Sequence, residues 1–446
     1  MSSEWKEYEL RQIVDMLSKK VSANHININN YISTENMIAD KGGITISSGL
    51  PAQNNYLEFK KGDVLFSNIR TYFKKIWQAS FSGGASNDII VFRTKDKQVL
   101  DQSFLYYLIS NDNFIDFTII TAKGTKMPRG DRDAMKKFKF RIPVDVEQQK
   151  NIADILNCLE QKINCNQRIN QTLETIAQTL FKSWFVDFDP VKAKIAAKEL
   201  GEDPQLAAMV AISGKTAEQI ALLPADKRTE LAATADLFPD EMVESELWMI
   251  PKGWKISEIG KEVDVVGGST PSTKEIEYWE NGNNNWVTPK DFSGLKSKVL
   301  IDSERKITDK GVTQISSGIL PVNAVLLSSR APIGYLAITK IPVSINQGFI
   351  GMICNKKLQS EFILNWTLSR MNEIVQRASG TTFLEISKSN FKTIKIIVPT
   401  SNIQKIYHAT TNKQYTLIEE NEKMNRNLVS VRDSLLPELL TGKITL

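Results

Sequence analysis

The sequence predicts an α/β (α+β) fold: two related domains separated by two long helices that pair as an antiparallel coiled coil in a pseudo-two-fold arrangement. Three observations predict it. Short motifs recur in the two halves of the chain at matched spacing, as AKGT at Ala122–Thr125 and ASGT at Ala378–Thr381, each with a proline 19 residues after its glycine (Gly124 to Pro143, Gly380 to Pro399). Behind each copy the hydrophobic period changes from strand-like to helical. An Asn opens the helical stripe both times. With 446 residues the chain can bury large cores, and 41% hydrophobic with 24% charged residues is ordinary for a globular protein.

Residues 1–146 make the first domain. Here EWKEYELRQIVDM begins the repeat near Trp5, GDVLFSNIR ends at Arg70, and short β-rich runs such as DIIVFR are divided by Gly, Asn and Ser turns. Residues 147–190 carry the first helix, in which Asn166, Ile169, Leu173, Ile176 and Leu180 are spaced 3, 4, 3, 4. That spacing reads as a coiled-coil seam, whose single polar residue fixes register because slipping leaves its amide unpaired. From Glu147 to about Phe185 the helix spans roughly 57 Å at 1.5 Å per residue, a length suited to a spacer.

Residues 191–250 form an Ala-rich connector of short helices, broken by Pro204, Gly214 and Pro224. SGKT at Ser213–Thr216 is no phosphate-binding loop, because Met209 stands where that motif needs its first glycine; Gly214 reads as a helix terminator. Residues 251–400 repeat the first domain, with GWKISEIGKEVDV near Trp254 and NAVLLSSR ending at Arg330. Residues 401–446 hold the second helix, where Asn421, Met424, Leu428, Val431 and Leu435 restate the earlier stripe. With a folded domain inserted between them, the two helices should run antiparallel.

Charge points to a polyanion. The net charge is only +5, but Ala122–Arg141 carries eight Lys/Arg against two Asp, and Arg377–Lys395 four against one. The two stretches therefore hold +6 and +3, leaving −4 for the rest of the chain. Clustered cations gain from counterion release on DNA. Two domains held apart on a rod, each with a basic loop, suit two separated half-sites on one duplex. AKGTKMPRGDRD differs from ASGTTFLEISKS, so the half-sites should differ too. A coiled-coil adaptor with repeated protein-binding modules is the other reading open at this point, with the basic loops favouring DNA.

The candidate DNA contacts are the residues that the repeat places together. Arg70 and Arg330, preceded by Asn68 and Ser329, end matching strand-like runs, and an arginine fork suits guanine or phosphate. Lys123, Gly124, Thr125, Lys126 and Arg129, with Gly380, Thr381 and Thr382 in the second copy, occupy glycine-containing loops that can approach a backbone closely. Gln347, in SINQGF, has the amide that pairs with adenine.

Catalysis finds little support. The two histidines, His25 and His408, lie too far apart in sequence for a relay, no metal spacing exists, and neither a glycine-rich cofactor turn nor a target-base clamp is present. We expect no catalytic and no metal site. Cys158, Cys165 and Cys354 read as buried thiols. No apolar run approaches the roughly 18–20 residues that span a bilayer, and MSSEWKEYEL lacks a signal-peptide core, so a cytoplasmic protein is expected, with no membrane partner.

The run LFKSWFVDFDPVKAK at Leu180–Lys194, the IPKGW that opens the second copy, and the order domain, helix, domain, helix resemble the specificity subunit of type I restriction-modification systems, over essentially the whole chain. The resemblance implies two target-recognition domains that read an asymmetric, interrupted DNA site, and helices that hold two methyltransferase subunits. Endonuclease-translocase subunits join that core. S-adenosylmethionine, ATP and Mg are expected on the partners, with no cofactor on this chain. One departure stands out: the second helix ends LLPELLTGK where the first has LFKSWFVDF. In that first run Leu180, Phe181, Trp184 and Phe185 continue the helical stripe, whereas Val186 to Asp189 lie beyond it, before Pro190. A docking surface for a methyltransferase subunit is therefore expected around Trp184, Phe185, Phe188 and Asp189.

Overall fold

The structure, a computed structural model, describes residues 4–245, 249–380 and 384–444. Its contacts divide the chain into two compact units, Met1–Ile163 with Asn427–Leu446 and Asn164–Arg426, so each long helix contributes a stretch to both. The strands discussed are β1 (Trp5–Glu9), β2 (Val14–Met16), β3 (Val64–Ser67), β4 (Ile76–Gln78), β5 (Ile89–Thr94) and β6 (Lys139–Pro143) in the first unit. In the second they are β7 (Lys255–Glu258), β8 (Asp264–Gly267), β9 (Val299–Leu300), β10 (Val325–Ser328), β11 (Leu336–Thr339), β12 (Phe349–Ile353) and β13 (Lys395–Val398). The long helices are α1 (Val146–Phe185) and α2 (Ser401–Thr441).

The internal repeat is a repeat of topology. The first unit has a sheet in the order β2-β5-β3-β4; the second has β8-β12-β10-β11 with β9 added at the edge. In both, an antiparallel pair closes the domain: Trp5 opposite Pro143 in β1–β6, and Lys255 opposite Val398 in β7–β13. The central strands VLFS (β3) and VLLS (β10) are buried at every residue. That is why they read as unbroken apolar runs rather than alternating ones. The proline 19 residues after each glycine also has a structural task. A buried Gln in the first turns of each long helix donates through Nε2 to that proline's carbonyl, Gln149 to Pro143 (2.8 Å) and Gln404 to Pro399 (2.7 Å), fastening helix to domain.

Within the second unit the helices are antiparallel, but the seam is not the expected stripe. Asn166 Nδ2 donates to Asn425 Oδ1 (2.9 Å), Asn421 Nδ2 to Asn170 Oδ1 (2.8 Å), and Asn170 Nδ2 to Glu422 Oε1 (2.8 Å). The buried line on α1 is Asn166, Asn170, Glu174, Ala177, Phe181 and Trp184, whereas Ile176 is 48% and Met424 43% exposed, and Ile169 is exposed as well. The two expected seam asparagines, Asn166 and Asn421, do lie in it, but the stripe through Ile169, Ile176 and Met424 follows the wrong face because the middle of this seam is polar. Buried amides cost stability, the more so here because Asn166 Oδ1 and Asn425 Nδ2 have no partner, but their pairing specifies one register. Glu174 lies in the same line. Its carboxylate accepts from the Lys298 backbone N–H, and burial pushes its pKa above the usual carboxylate range.

The aromatic run after this seam is core. Trp184, Phe185 and Phe188 are all buried with Phe181, Phe238, Trp254, Phe362 and Tyr407. Phe185 meets Phe362 at 4.9 Å and Tyr407 at 5.1 Å, and Phe188 meets Trp254 at 5.7 Å, in edge-on packing. The expected docking surface therefore does not exist at Trp184, Phe185 and Phe188. A left-handed turn at Phe188 (φ 58°) folds its ring back inward, and only Val186 and Asp189 of that segment stay exposed. The turn opens a helix at Asp189–Leu200, the first of four in the connector with Pro204–Ser213, Ala217–Ala221 and Ala225–Asp236. Gly214, at φ 64°, ends the second of them. The cysteines also depart from expectation. Cys158 and Cys165 sit on exposed positions of α1, and Cys354 is partly buried, its thiol pushed up to about 12 by burial.

Candidate nucleic-acid interface

In the first unit, the turn after β3 and the basic loop form one built site. Asn68 N–H donates to the Asp88 carbonyl (2.8 Å), Gly130 N–H to the Asn68 carbonyl (3.1 Å), and Arg70 N–H to the Pro128 carbonyl (2.8 Å). The loop closes on itself through a bridge between Lys123 and Arg129, bonded both ways at 2.8 and 2.9 Å. Gly130 permits this approach, since a Cβ there would meet Asn68 Oδ1 at 2.9 Å. Arg70 (φ 49°) and Lys74 (φ 50°) are both left-handed and bracket a single tight turn at Thr71–Phe73. Such conformations cost of order 1 kcal/mol or more for a non-glycine residue and cluster at functional sites.

Most of the expected contacts in this copy are displayed. Lys123, Gly124, Thr125, Lys126 and Arg129 are all exposed. Lys123 Nζ pairs with Asp131 (2.6 Å) and Arg129 Nη2 with Asp88 (2.9 Å). The hydrogen bond to Asp131 raises the Lys123 pKa, and the same bond holds the Asp131 carboxyl below its usual range. Exposed pairs of this kind contribute little and are screened by salt, so a phosphate can replace the carboxylate. Asn68 is a correction: its side chain is buried, its Oδ1 without a partner, and its backbone N–H and carbonyl secure the turn.

The second unit repeats the backbone and changes the side chains. Ser329 N–H donates to the Gly348 carbonyl (2.8 Å), Ile386 N–H to the Ser329 carbonyl (3.1 Å), and Ser379 and Glu385 are bonded both ways at 3.0 and 2.9 Å. Ser329 therefore matches Asn68 and is buried like it, a second correction. Glu385 occupies the place of Arg129, and Ser379 that of Lys123. The equivalence expected between Arg70 and Arg330 is one residue out of register. Arg330 bridges Glu385 as Ile69 bridges Arg129, and Ala331 (φ 47°) stands where Arg70 does. Matching the two runs by their terminal arginines hides this, because SNIR has one residue more than SSR after the shared strand. Arg330 lies 3.6 Å from Glu385. Gln347 is exposed and its Oε1 accepts from Thr270 Oγ1 (2.5 Å). Gly380 takes φ 133°, while Thr381 and Thr382 lie outside the described residues.

Several residues escaped the sequence reading. Since Gly348 matches Asp88, the counterpart of Gln347 is Asn87, also exposed, in SND against NQG. Tyr72 and Phe73, in the turn that follows Arg70, are 46% and 40% exposed. Phe73 lines a cleft of about 700 Å³ whose walls include Glu35, Arg70, Asp88 and Met127. Carboxylates in such a cleft can accept from the exocyclic amino group of cytosine. The adjacent aromatic pair was a visible signal; the carboxylates, drawn from distant loops, were not.

The description "Type I restriction modification DNA specificity domain" matches twice, at residues 2–175 and 251–426. This chain belongs to that family. It is 32% identical over 464 residues to the type I restriction enzyme HindI specificity subunit of Haemophilus influenzae, covering 99% of this chain and all of the relative. The MjaIX specificity subunit of Methanocaldococcus jannaschii is 37% identical over 193 residues, 43% of this chain and 44% of that protein. A crystal structure of the S subunit of a type I restriction-modification system from M. genitalium has the same fold, with a TM-score of 0.55 at 13% identity, covering 98% of this chain and 96% of that one. As a specificity subunit the chain serves DNA recognition and is non-catalytic, which decides against the adaptor reading. Among the described residues no helix is long and apolar enough to cross a membrane.

Proposed function

We propose that this specificity subunit reads an asymmetric, interrupted DNA site, one half through each repeated domain, for a complex containing two methyltransferase subunits and endonuclease-translocase subunits. S-adenosylmethionine, ATP and Mg are then bound by those partners. The observation that carries the reading is the pair of turn-and-loop sites on one backbone plan with different side chains: Arg70, Lys123 and Arg129 in one, Ala331, Ser379 and Glu385 in the other. Equal scaffolds with unequal lining suit two half-sites of unequal sequence. Direct contacts in the first copy are assigned to Arg70, Lys123, Lys126 and Arg129, and in the second to Arg330 and Gln347. Asn68 and Ser329 act by holding the turns.

The docking of methyltransferase subunits moves from the aromatic run to the outward faces of the long helices. Ile169 and Ile176 on α1, and Leu417 and Met424 on α2, are exposed apolar residues seven apart on each helix. A heptad stripe left open suits a partner helix. The test of the whole reading is a map of methylated bases in cells expressing this chain with its methyltransferase subunit, against cells lacking only this chain. An interrupted asymmetric motif that disappears with the chain supports it; an identical map despite an active methyltransferase refutes it.

A further inference from the structure

The exposed aromatic turn beside the basic loop goes beyond phosphate and base-edge contact. Tyr72 and Phe73 stand side by side, ring centroids 4.7 Å apart and planes tilted by 49°, with more than a third of each side chain in solvent. Such rings are ordinarily covered. Nothing about the turn is loose: Phe73 N–H donates to the Arg70 carbonyl and Lys74 N–H to the Thr71 carbonyl, both at 2.9 Å. From outside, Asp40 N–H and Lys41 N–H donate to the Phe73 and Lys74 carbonyls, also at 2.9 Å. Lys74 Nζ is further held by Asp112 at 2.7 Å. The rings are thus presented in a fixed place, and little ordering entropy remains to be lost on binding.

Position and charge identify the occupant. Arg70 opens the turn that carries the aromatic pair, its backbone is bonded to the basic loop at Pro128, and exposed Met127 shares a cleft with Phe73. Arg70 and Lys75 line that cleft with Phe73, and with the basic loop bonded to the same turn this apolar tip suits a duplex, whose phosphates meet the cations while a base face meets the rings. The second domain has no such tip: Pro332, Ile333 and Gly334 occupy the corresponding turn.

Resting on the DNA-reading function above, we propose that Tyr72 and Phe73 form a wedge that opens one base step of the first half-site and stacks on the exposed base. The second half-site is read without unstacking. Domain 1 then favours a sequence whose step opens easily, such as a pyrimidine–purine step, in addition to whatever its polar groups read.

The test uses the full chain assembled with its methyltransferase subunits, and duplexes carrying 2-aminopurine at each position of the mapped half-sites in turn. Apart from the methylated bases, which the methyltransferase subunits extrude themselves, binding should raise the fluorescence at one step of the first half-site and at none in the second. Tyr72→Ala with Phe73→Ala should abolish the rise and weaken binding about 5- to 150-fold, the span of one base–aromatic stack. The salt slope should stay the same, since no cation is removed. The swap Tyr72→Phe with Phe73→Tyr keeps both rings and should keep the rise. No rise outside the methylated bases with the unaltered assembly, affinity of the alanine variant within about twofold of the original, or failure of that variant to assemble with the methyltransferase would each overturn the wedge. An unaltered assembly that binds the mapped duplex no better than a scrambled one overturns the DNA-reading function together with the wedge.

Discussion

Replacing Lys126 and Arg129 by Ala tests the basic loop quantitatively. Lys126 has no ion-pair partner among the described residues, whereas Arg129 is held by Asp88 at 2.9 Å. Each cation that meets a phosphate contributes about 0.9 to the slope of log affinity against log salt. Losing both should lower the slope by about 1.8. Between 50 and 200 mM salt, a fourfold change, each contact then accounts for roughly 3.5-fold in affinity and the pair for roughly 12-fold. The Arg129 change also leaves Asp88 uncompensated beside the duplex, so the loss at low salt should exceed the value for two phosphates alone. Asp88→Asn should act in the opposite direction by freeing the guanidinium. Fluorescence anisotropy of a labelled duplex at four or more salt concentrations measures the slope, with a scrambled duplex run alongside. Phosphate contacts carry no sequence information, so both duplexes should lose equally. An unchanged slope, or a loss confined to the specific duplex, would refute the assignment of these residues to phosphates.

Three further outcomes follow from the packing. Phe185→Ala empties a site packed between Phe362 and Tyr407 and should cost about 3–5 kcal/mol in urea unfolding, with undiminished methyltransferase binding by the folded fraction; unchanged stability with lost co-purification would return this residue to the docking surface. Ile176→Asp with Met424→Asp changes two exposed positions, so the unfolding midpoint should hold while co-purification with methyltransferase falls at least tenfold; undiminished co-purification would exclude that face. Glu174→Gln keeps an acceptor for the Lys298 N–H and removes a charge that burial disfavours. Because the folded pKa is raised, the native state binds the extra proton, and the charge penalises stability above the folded pKa and ceases to do so below the ordinary carboxylate range. The variant should therefore melt above the original chain at pH 8, with the gap closing as pH falls; a pH-independent gap, or a less stable variant at pH 8, would contradict this.

The sequence by itself determined the duplication, the paired long helices and the family. These depend on local signals. Continuous apolar runs fix the central strands β3 and β10, glycine and proline fix the loop closures, and the Leu180–Lys194 phrase survives as a string. It also located the first copy's basic loop, since clustered charge is visible without a fold. Tertiary structure decided everything that depends on which face turns inward. Periodicity puts Asn166 in the seam but does not show that Asn170 and Glu174, paired with α2 and the Lys298 backbone, continue the buried side in place of Ile169 and Ile176. An aromatic run near a helix end reads equally well as core or as surface, and the left-handed turn at Phe188 resolved it by returning the ring to Trp254. The register of the second turn needed the backbone bonds of Ser329 and Ile386, because one missing residue shifts an alignment by sequence. The cleft that brings Glu35 and Asp88 beside Arg70 joins residues from separate loops, and chain proximity carries no trace of such a meeting.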